Sequence, residues 1–233
     1  MFVVRAVIIY MYALYHFSLC PFSRLIRMVL NEKGVEFELI QEEFWKQRKE
    51  FIRLNPASEV PVLIDKSNKF HIADVMAIYE YLEEKHTNKS LLGSTLEMRA
   101  EVRRVTNWFN NKFYHEVSRY IINERIIAYY ARKSAPNSQA IRAAKINIHY
   151  HLEYINFLLK QRRWLASEYI TIADFAASVQ LSVLDYLGDV PWEQYINVKN
   201  WYSVLKSRPS FRSFLQDKIT GFEPSLHYKN LDF

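Results

Sequence analysis

The sequence predicts an α/β unit at the N-terminal end followed by an all-helical bundle. Three observations carry this. Residues 12–41 switch from a β-prone run to a helical pattern and back, a proline at position 61 stands directly ahead of a short apolar run, and the chain beyond residue 95 reads as long helical stretches. Only four glycines and seven prolines punctuate 233 residues, which argues against a loop-rich or all-β chain.

The elements follow in order. Residues 12–17 (Tyr-Ala-Leu-Tyr-His-Phe) are β-prone, and Ser18-Leu19-Cys20-Pro21 breaks them. Pro21 suits the first turn of a helix, where a missing N–H costs nothing. From Phe22 the apolar residues Leu25, Met28 and Val29 recur at helical spacing, and Gly34 follows as a C-cap. Residues 35–41 return to a strand pattern. A charged segment, 42–53, carries Phe44, Trp45 and Phe51. Pro61 then opens Val62-Leu63-Ile64, residues 66–69 make a turn, 70–72 form a second short strand and 74–85 a helix. The order β-α-β-α-β-β-α is that of a thioredoxin fold, in which a proline opening a strand marks a cis-proline site.

The polar connector 87–94 sets the domain boundary. The expected organisation is an extension over 1–10, a thioredoxin-like domain over 11–86, a helical domain over 95–216 and a tail over 217–233. Helices are expected over 96–133, 138–160, 172–186 and 198–215. Thr171-Ile-Ala-Asp174 is a helix-start signature, with Thr171 as N-cap and Asp174 answering its N–H, read as local helix stability.

Composition narrows the function classes. The net charge of +6 is modest and spread along the chain. Partial clusters at Arg99, Arg103 and Arg104, and at Arg125, Arg132 and Lys133, read as solvated helix faces, so no nucleic-acid partner is expected. The single Cys20 excludes an internal disulfide framework and fits a reducing cytoplasm. Residues 1–10 (MFVVRAVIIY) are apolar, but a bilayer span needs about 20 such residues, and no small-residue cleavage site follows them. No membrane insertion is expected. The histidines lack metal-ligand spacing; His149 and His151, two apart on a helix, point to different faces.

Several motifs resemble those of the glutathione-transferase superfamily. Cys20-Pro-Phe-Ser23 is similar to its active-site turn and Glu59-Val60-Pro61 to its cis-proline motif. Ala77-Ile78 with Tyr81-Leu82-Glu83 resembles its third-helix motif, and Trp164-Leu-Ala with Thr171-Ile-Ala-Asp174 its C-terminal capping motif. The segments 103–113, 184–192, 206–211 and 231–233 resemble, more narrowly, the glutathione-transferase-like division proteins of alphaproteobacteria that bind the tubulin homologue FtsZ. That resemblance implies an FtsZ-binding adaptor that helps organise the division ring, a homodimer, and no required cofactor.

The superfamily resemblance also implies a glutathione site, and with it the alternative of a transferase or a thiol–disulfide reductase. Cys20, with Ser18 and Ser23 nearby, would be the thiol or hydroxyl group at the helix start, where a helix N-terminus acidifies a cysteine. Val60 and Pro61 would hold the glutathione peptide. Aligning back from Tyr81-Leu82, the family's Glu-Ser pair falls on Asp74-Val75, and valine has no hydroxyl for the γ-glutamyl end. Losing that hydrogen bond to a charged group costs about 1.5–3 kcal/mol. Trp45 with Lys46, and Asp232 with Phe233 at the tail's end, are the expected partner contacts; Trp108, Trp164 and Trp201 are expected in the core.

Overall fold

A computed structural model describes residues 11–132 and 134–231. Its N-terminal half runs β1 (Tyr12–His16), α1 (Pro21–Glu32), β2 (Phe37–Gln41), a 3₁₀ turn over Phe44–Lys46, α2 (Lys49–Leu54), β3 (Val62–Asp65), β4 (Phe70–Ala73) and α3 (Val75–Lys85). The four strands form one sheet in the order β2-β1-β3-β4. β1 pairs parallel with β2, Leu14 opposite Leu39, and antiparallel with β3, Leu14 opposite Leu63. β4 returns antiparallel on β3. The proposed extension, 1–10, lies outside the described residues.

The second half begins with α4 (Leu96–Asn107), N-capped by the Thr95 hydroxyl. The helix runs on with π winding over Trp108–Ser118, a short α5 (Arg119–Ile122) and a second π stretch over Asn123–Arg132. Next come α6 (Ser138–Gln161), α7 (Ile172–Tyr186), α8 (Ile196–Lys206) and α9 (Pro209–Arg212). The single helix expected over 198–215 is therefore two, followed by a 3₁₀ turn over Ser213–Gln216. Arg208 is extended (φ −68°, ψ 143°) because the ring of Pro209 disfavours helical geometry in the residue before it.

Every residue of α7 is buried, and this helix packs on α1 of the first half as well as on α4 and the π-wound segment after it. Arg24 of α1, with no exposed surface, crosses into the second half. Its guanidinium donates to Ser182 Oγ on α7 (2.8 Å) and lies 3.5 Å from Asp217, and its Nε donates to the Ser18 carbonyl (2.8 Å). Arg27 adds two hydrogen bonds to the same Asp217 (2.8 and 3.1 Å).

Asp174 does more than the local cap the motif suggests. Its Oδ2 accepts the Thr171 N–H (2.9 Å), while Oδ1 accepts the Leu165 N–H (2.9 Å) and Trp201 Nε1 (3.3 Å). One carboxylate thus ties the loop ahead of α7 and the side of α8 to the helix start. Burial pushes its pKa up to about 6 against the pull of those donors. Of the three tryptophans expected in the core, Trp201 is buried, whereas Trp108 and Trp164 are half-buried against its edge.

Candidate functional site

Cys20 is the N-cap residue of α1, with Pro21 in the first turn. The two hydroxyls beside it face inward. Ser23 is buried and its Oγ accepts the Phe17 N–H (3.3 Å), while Ser18 Oγ reaches Gln41 (3.5 Å). Cys20 Sγ lies 3.6 Å from the Val60 carbonyl. Burial pushes the Cys20 thiol up; hydrogen bonds from Ser23 and the Phe22 backbone oppose this, and the charge of Glu59 adds to the rise. The expected acidification at the helix N-terminus is therefore outweighed. A thiol that stays protonated is a poor nucleophile.

The Val60–Pro61 peptide is cis, as its position ahead of β3 predicts. The loop before it is braced by Asn55, whose Nδ2 donates to the Glu59 carbonyl (2.8 Å) and whose Oδ1 accepts the Ala57 N–H (3.1 Å). Across from it, Asp74 adopts φ +78°, a backbone region unusual for a non-glycine residue. That twist aims its carboxylate at the start of α3, where Oδ1 accepts the N–H groups of Met76 (2.8 Å) and Ala77 (3.0 Å). Val75 is the first residue of the helix.

These pieces line a cleft of ≈ 310 Å³ that Phe22 and Asn110 close from the other side. Cys20 is not among the residues lining it. The structure thus brings Val60, Pro61, Asp74 and Val75 together and leaves the thiol behind the Val60 carbonyl. For glutathione the donor set is reduced: Val75 has no hydroxyl, and the N–H groups of Met76 and Ala77 are already taken by Asp74.

The residues expected to meet a partner lie on another face. Trp45 is half-buried, stacked on Tyr130 of the helical half with ring centroids 5.4 Å apart, and edge-on to Phe17 (5.2 Å) and Phe44 (5.2 Å). Lys46 is exposed and paired with Glu43. The tail then passes over the same tyrosines: Phe222 packs on Tyr129 (5.1 Å) and Tyr130 (6.0 Å), and Tyr130 Oη donates to the Thr220 carbonyl. Gly221 makes this approach possible. Its φ is +81°, and a Cβ there would lie 2.9 Å from Tyr129 Oη.

Beyond that point the tail is anchored by a buried Tyr228, by Ser225 Oγ on the Asp185 carbonyl (2.7 Å), and by the Phe222 carbonyl on Tyr186 Oη (2.7 Å). Asp232 and Phe233 lie outside the described residues. Trp45 and the described start of the tail share one aromatic band, running Trp45–Tyr130–Phe222–Tyr129. The sequence reading missed Tyr129 and Tyr130; a Tyr-Tyr pair on a helix of ordinary composition carries no mark of that role.

Three of the clustered arginines are held in ion pairs. Arg103 holds Glu80 (2.8 Å), Arg104 holds Glu101 (2.7 Å) and Arg125 holds Asp189. The side chain of Arg132, and Lys133, lie outside the description. Among the described residues no group of three or more His, Cys, Asp or Glu could hold a metal ion, and no helix is long and apolar enough to cross a membrane.

Residues 19–85 match the family model of the glutathione S-transferase N-terminal domain. FtsZ-localized protein A of Caulobacter vibrioides is 42% identical over 222 residues, 94% of this chain and 97% of that protein. The chain belongs to the glutathione S-transferase superfamily, alongside that protein. Solved structures agree with the assignment. A glutathione S-transferase from Rhodospirillum rubrum superposes with a TM-score of 0.92 at 45% identity, covering 96% of this chain and all of that one. FzlA from C. crescentus gives 0.92 at 42% identity, covering 95% and 99%.

Proposed function

We propose that this protein is a glutathione-transferase-like adaptor of cell division that binds FtsZ filaments and helps organise the division ring, without catalysis. The near full-length likeness to FtsZ-localized protein A carries this reading. The protonated Cys20 and the self-capped α3 support its non-catalytic part. In this reading the partner surface is the aromatic band together with Lys46 and the chain end at Asp232 and Phe233. An aromatic anchor set in a ring of polar residues is the usual form of an interaction hot spot. The protein acts as a homodimer in the cytoplasm and needs no cofactor.

Co-sedimentation with FtsZ polymers tests the reading. The unaltered protein pellets with polymers, Trp45→Ala and Asp232→Lys reduce the pelleted fraction, and Cys20→Ser leaves it unchanged. Absence of the unaltered protein from the polymer pellet would refute the proposal.

A second reading, a glutathione-dependent transferase or reductase, is favoured by the retained Cys20 and cis-proline. Calorimetric titration with glutathione at millimolar concentration separates the two. We expect no uptake by either the unaltered protein or Val75→Ser. Uptake by the unaltered protein would favour the enzyme. Uptake by Val75→Ser alone would show that the missing hydroxyl is what closed the site.

A further inference from the structure

The inner face of α6 carries Ala144, Ile148, Leu152, Ile155 and Leu158, all buried, as expected of a helix packed on a core. A second apolar set lies on its opposite face. Ile146, Tyr150 and Phe157 are 66%, 57% and 53% exposed, and they fall within about 40° of one another around the helix. Tyr154 flanks them, half-buried, and Trp108 of the π-wound segment packs on its ring at 4.3 Å and on that of Tyr150 at 6.2 Å. The result is an apolar stripe about 16 Å long. Its rim is basic. Glu153 is the one acidic residue of α6, against Arg142, Lys145 and Lys160. Lys145 is held by Asp189, whereas Arg142 and Lys160, exposed at the two ends of the stripe, form no ion pair with a described residue. Beside Tyr154, a single carboxylate, Glu101, is shared by Arg104 and Arg162. Beyond Trp108 lies a groove of ≈ 470 Å³ lined by Arg104, Lys112 and His115, whose one carboxylate, Glu116, is already engaged by Lys112 and His151.

We propose that this stripe docks an acidic amphipathic helix of another protein. The partner's apolar residues lie on Ile146, Tyr150 and Phe157, and its carboxylates meet the basic rim. Helices seat on apolar surfaces through anchors three or four residues apart, the spacing that the stripe itself has. Aromatic anchors set among charged residues are also the usual composition of an interaction hot spot. Lys112 lies over the rings of Trp108 and Tyr150 (5.6 and 5.8 Å) and holds both in place before a partner arrives. Charge decides against a second copy of this chain. An antiparallel pairing of two such stripes matches Ile146 with Phe157, but it also sets Arg142 against Lys160, twice, and like charges across an interface weaken it. The same two ends attract carboxylates. The stripe shares no residue with the Trp45 band, and the proposal stands independently of filament binding.

The test is a fluorescence-anisotropy titration of three labelled, stapled helices with the full chain. The first helix has Leu at i, i+3, i+4 and i+7 with Glu on both flanks. The second has Lys on the flanks, and the third has the composition of the first with its leucines dispersed around the helix. We expect saturable binding of the first alone. Phe157→Ser should weaken it about tenfold or more, as for an interface anchor, and Ile146→Ser should act in the same direction. Arg142→Gln combined with Lys160→Gln should weaken it about two- to fivefold, the scale of exposed charge pairs. A urea midpoint close to that of the unaltered protein checks that each variant is folded. No binding of the first helix, equal binding of the second or third, or unchanged affinity in both serine variants would overturn the proposal. So would a fall in oligomeric mass for Phe157→Ser in sedimentation velocity, since the stripe would then belong to a second copy.

Discussion

Trp45 and Tyr130 lie face to face, their ring planes within 10° and their centroids 5.4 Å apart, although 85 residues of chain separate them. The stack joins the turn after β2 to the end of the long π-wound helix, and so seals the seam between the two halves. Such a pair contributes about 0.5–1.5 kcal/mol beyond the area it buries. We expect Trp45→Ala and Tyr130→Ala to be non-additive by about 1 kcal/mol in a double-mutant cycle, read from urea unfolding. Additive effects would mean that the rings do not support each other.

Gly221→Ala tests the tail's approach to the same band. The substitution forces a side chain into a left-handed backbone and against Tyr129 Oη. A loss of about 1–3 kcal/mol is expected. Tyr129→Ala in the same background should recover the part due to the clash and leave the part due to the backbone.

Cys20 should react slowly. Its pKa is raised, so the thiolate fraction at pH 7.5 falls below that of a free cysteine. Alkylation by iodoacetamide, followed by mass spectrometry, is expected to run slower than for N-acetylcysteine. Glu59→Gln should quicken it, because the opposing charge is gone.

Acid should destabilise the fold through two histidines. Burial lowers the pKa of His16 and of His151 to about 4, in His151 against the upward pull of Glu116. Both are neutral when folded and take up protons below about pH 6.5 when unfolded. Their contribution is therefore intact above pH 6.5 and lost as pH falls toward 4. At pH 4.5 each should cost about 2–3 kcal/mol relative to pH 7. His151→Gln should flatten the urea-midpoint profile over that range by one histidine's share, at the expense of the hydrogen bond from Trp108 Nε1 to His151 Nδ1 (3.1 Å).

Local signals made the fold legible. Pro61 ahead of Val62-Leu63-Ile64, Pro21 in the first turn of α1, and Thr171 with Asp174 each act within a few residues, and each is found in place. The break at Pro209 was open to the same reasoning, since Arg208 obeys the rule for a residue before proline. The site was legible only as a list of residues. That the Cys20 thiol would be pushed up rather than acidified depends on packing that brings its Sγ within 3.6 Å of the Val60 carbonyl. That Asp74 would turn its carboxylate onto its own helix depends on a backbone angle no residue type announces.

Arg24 bears on whether the two halves are separate folding units. It belongs to the segment that matches a transferable N-terminal domain, yet its charge is neutralised and hydrogen-bonded by Ser182 and Asp217 in the remainder. Cut at the polar connector, the first half would lose both of these partners and the rings of Phe214 and Tyr228 that flank the guanidinium. The linker at 87–94 is thus a seam in the sequence but not in the thermodynamics. Exchanging halves between relatives will succeed only when the arginine travels together with its serine and its aspartate.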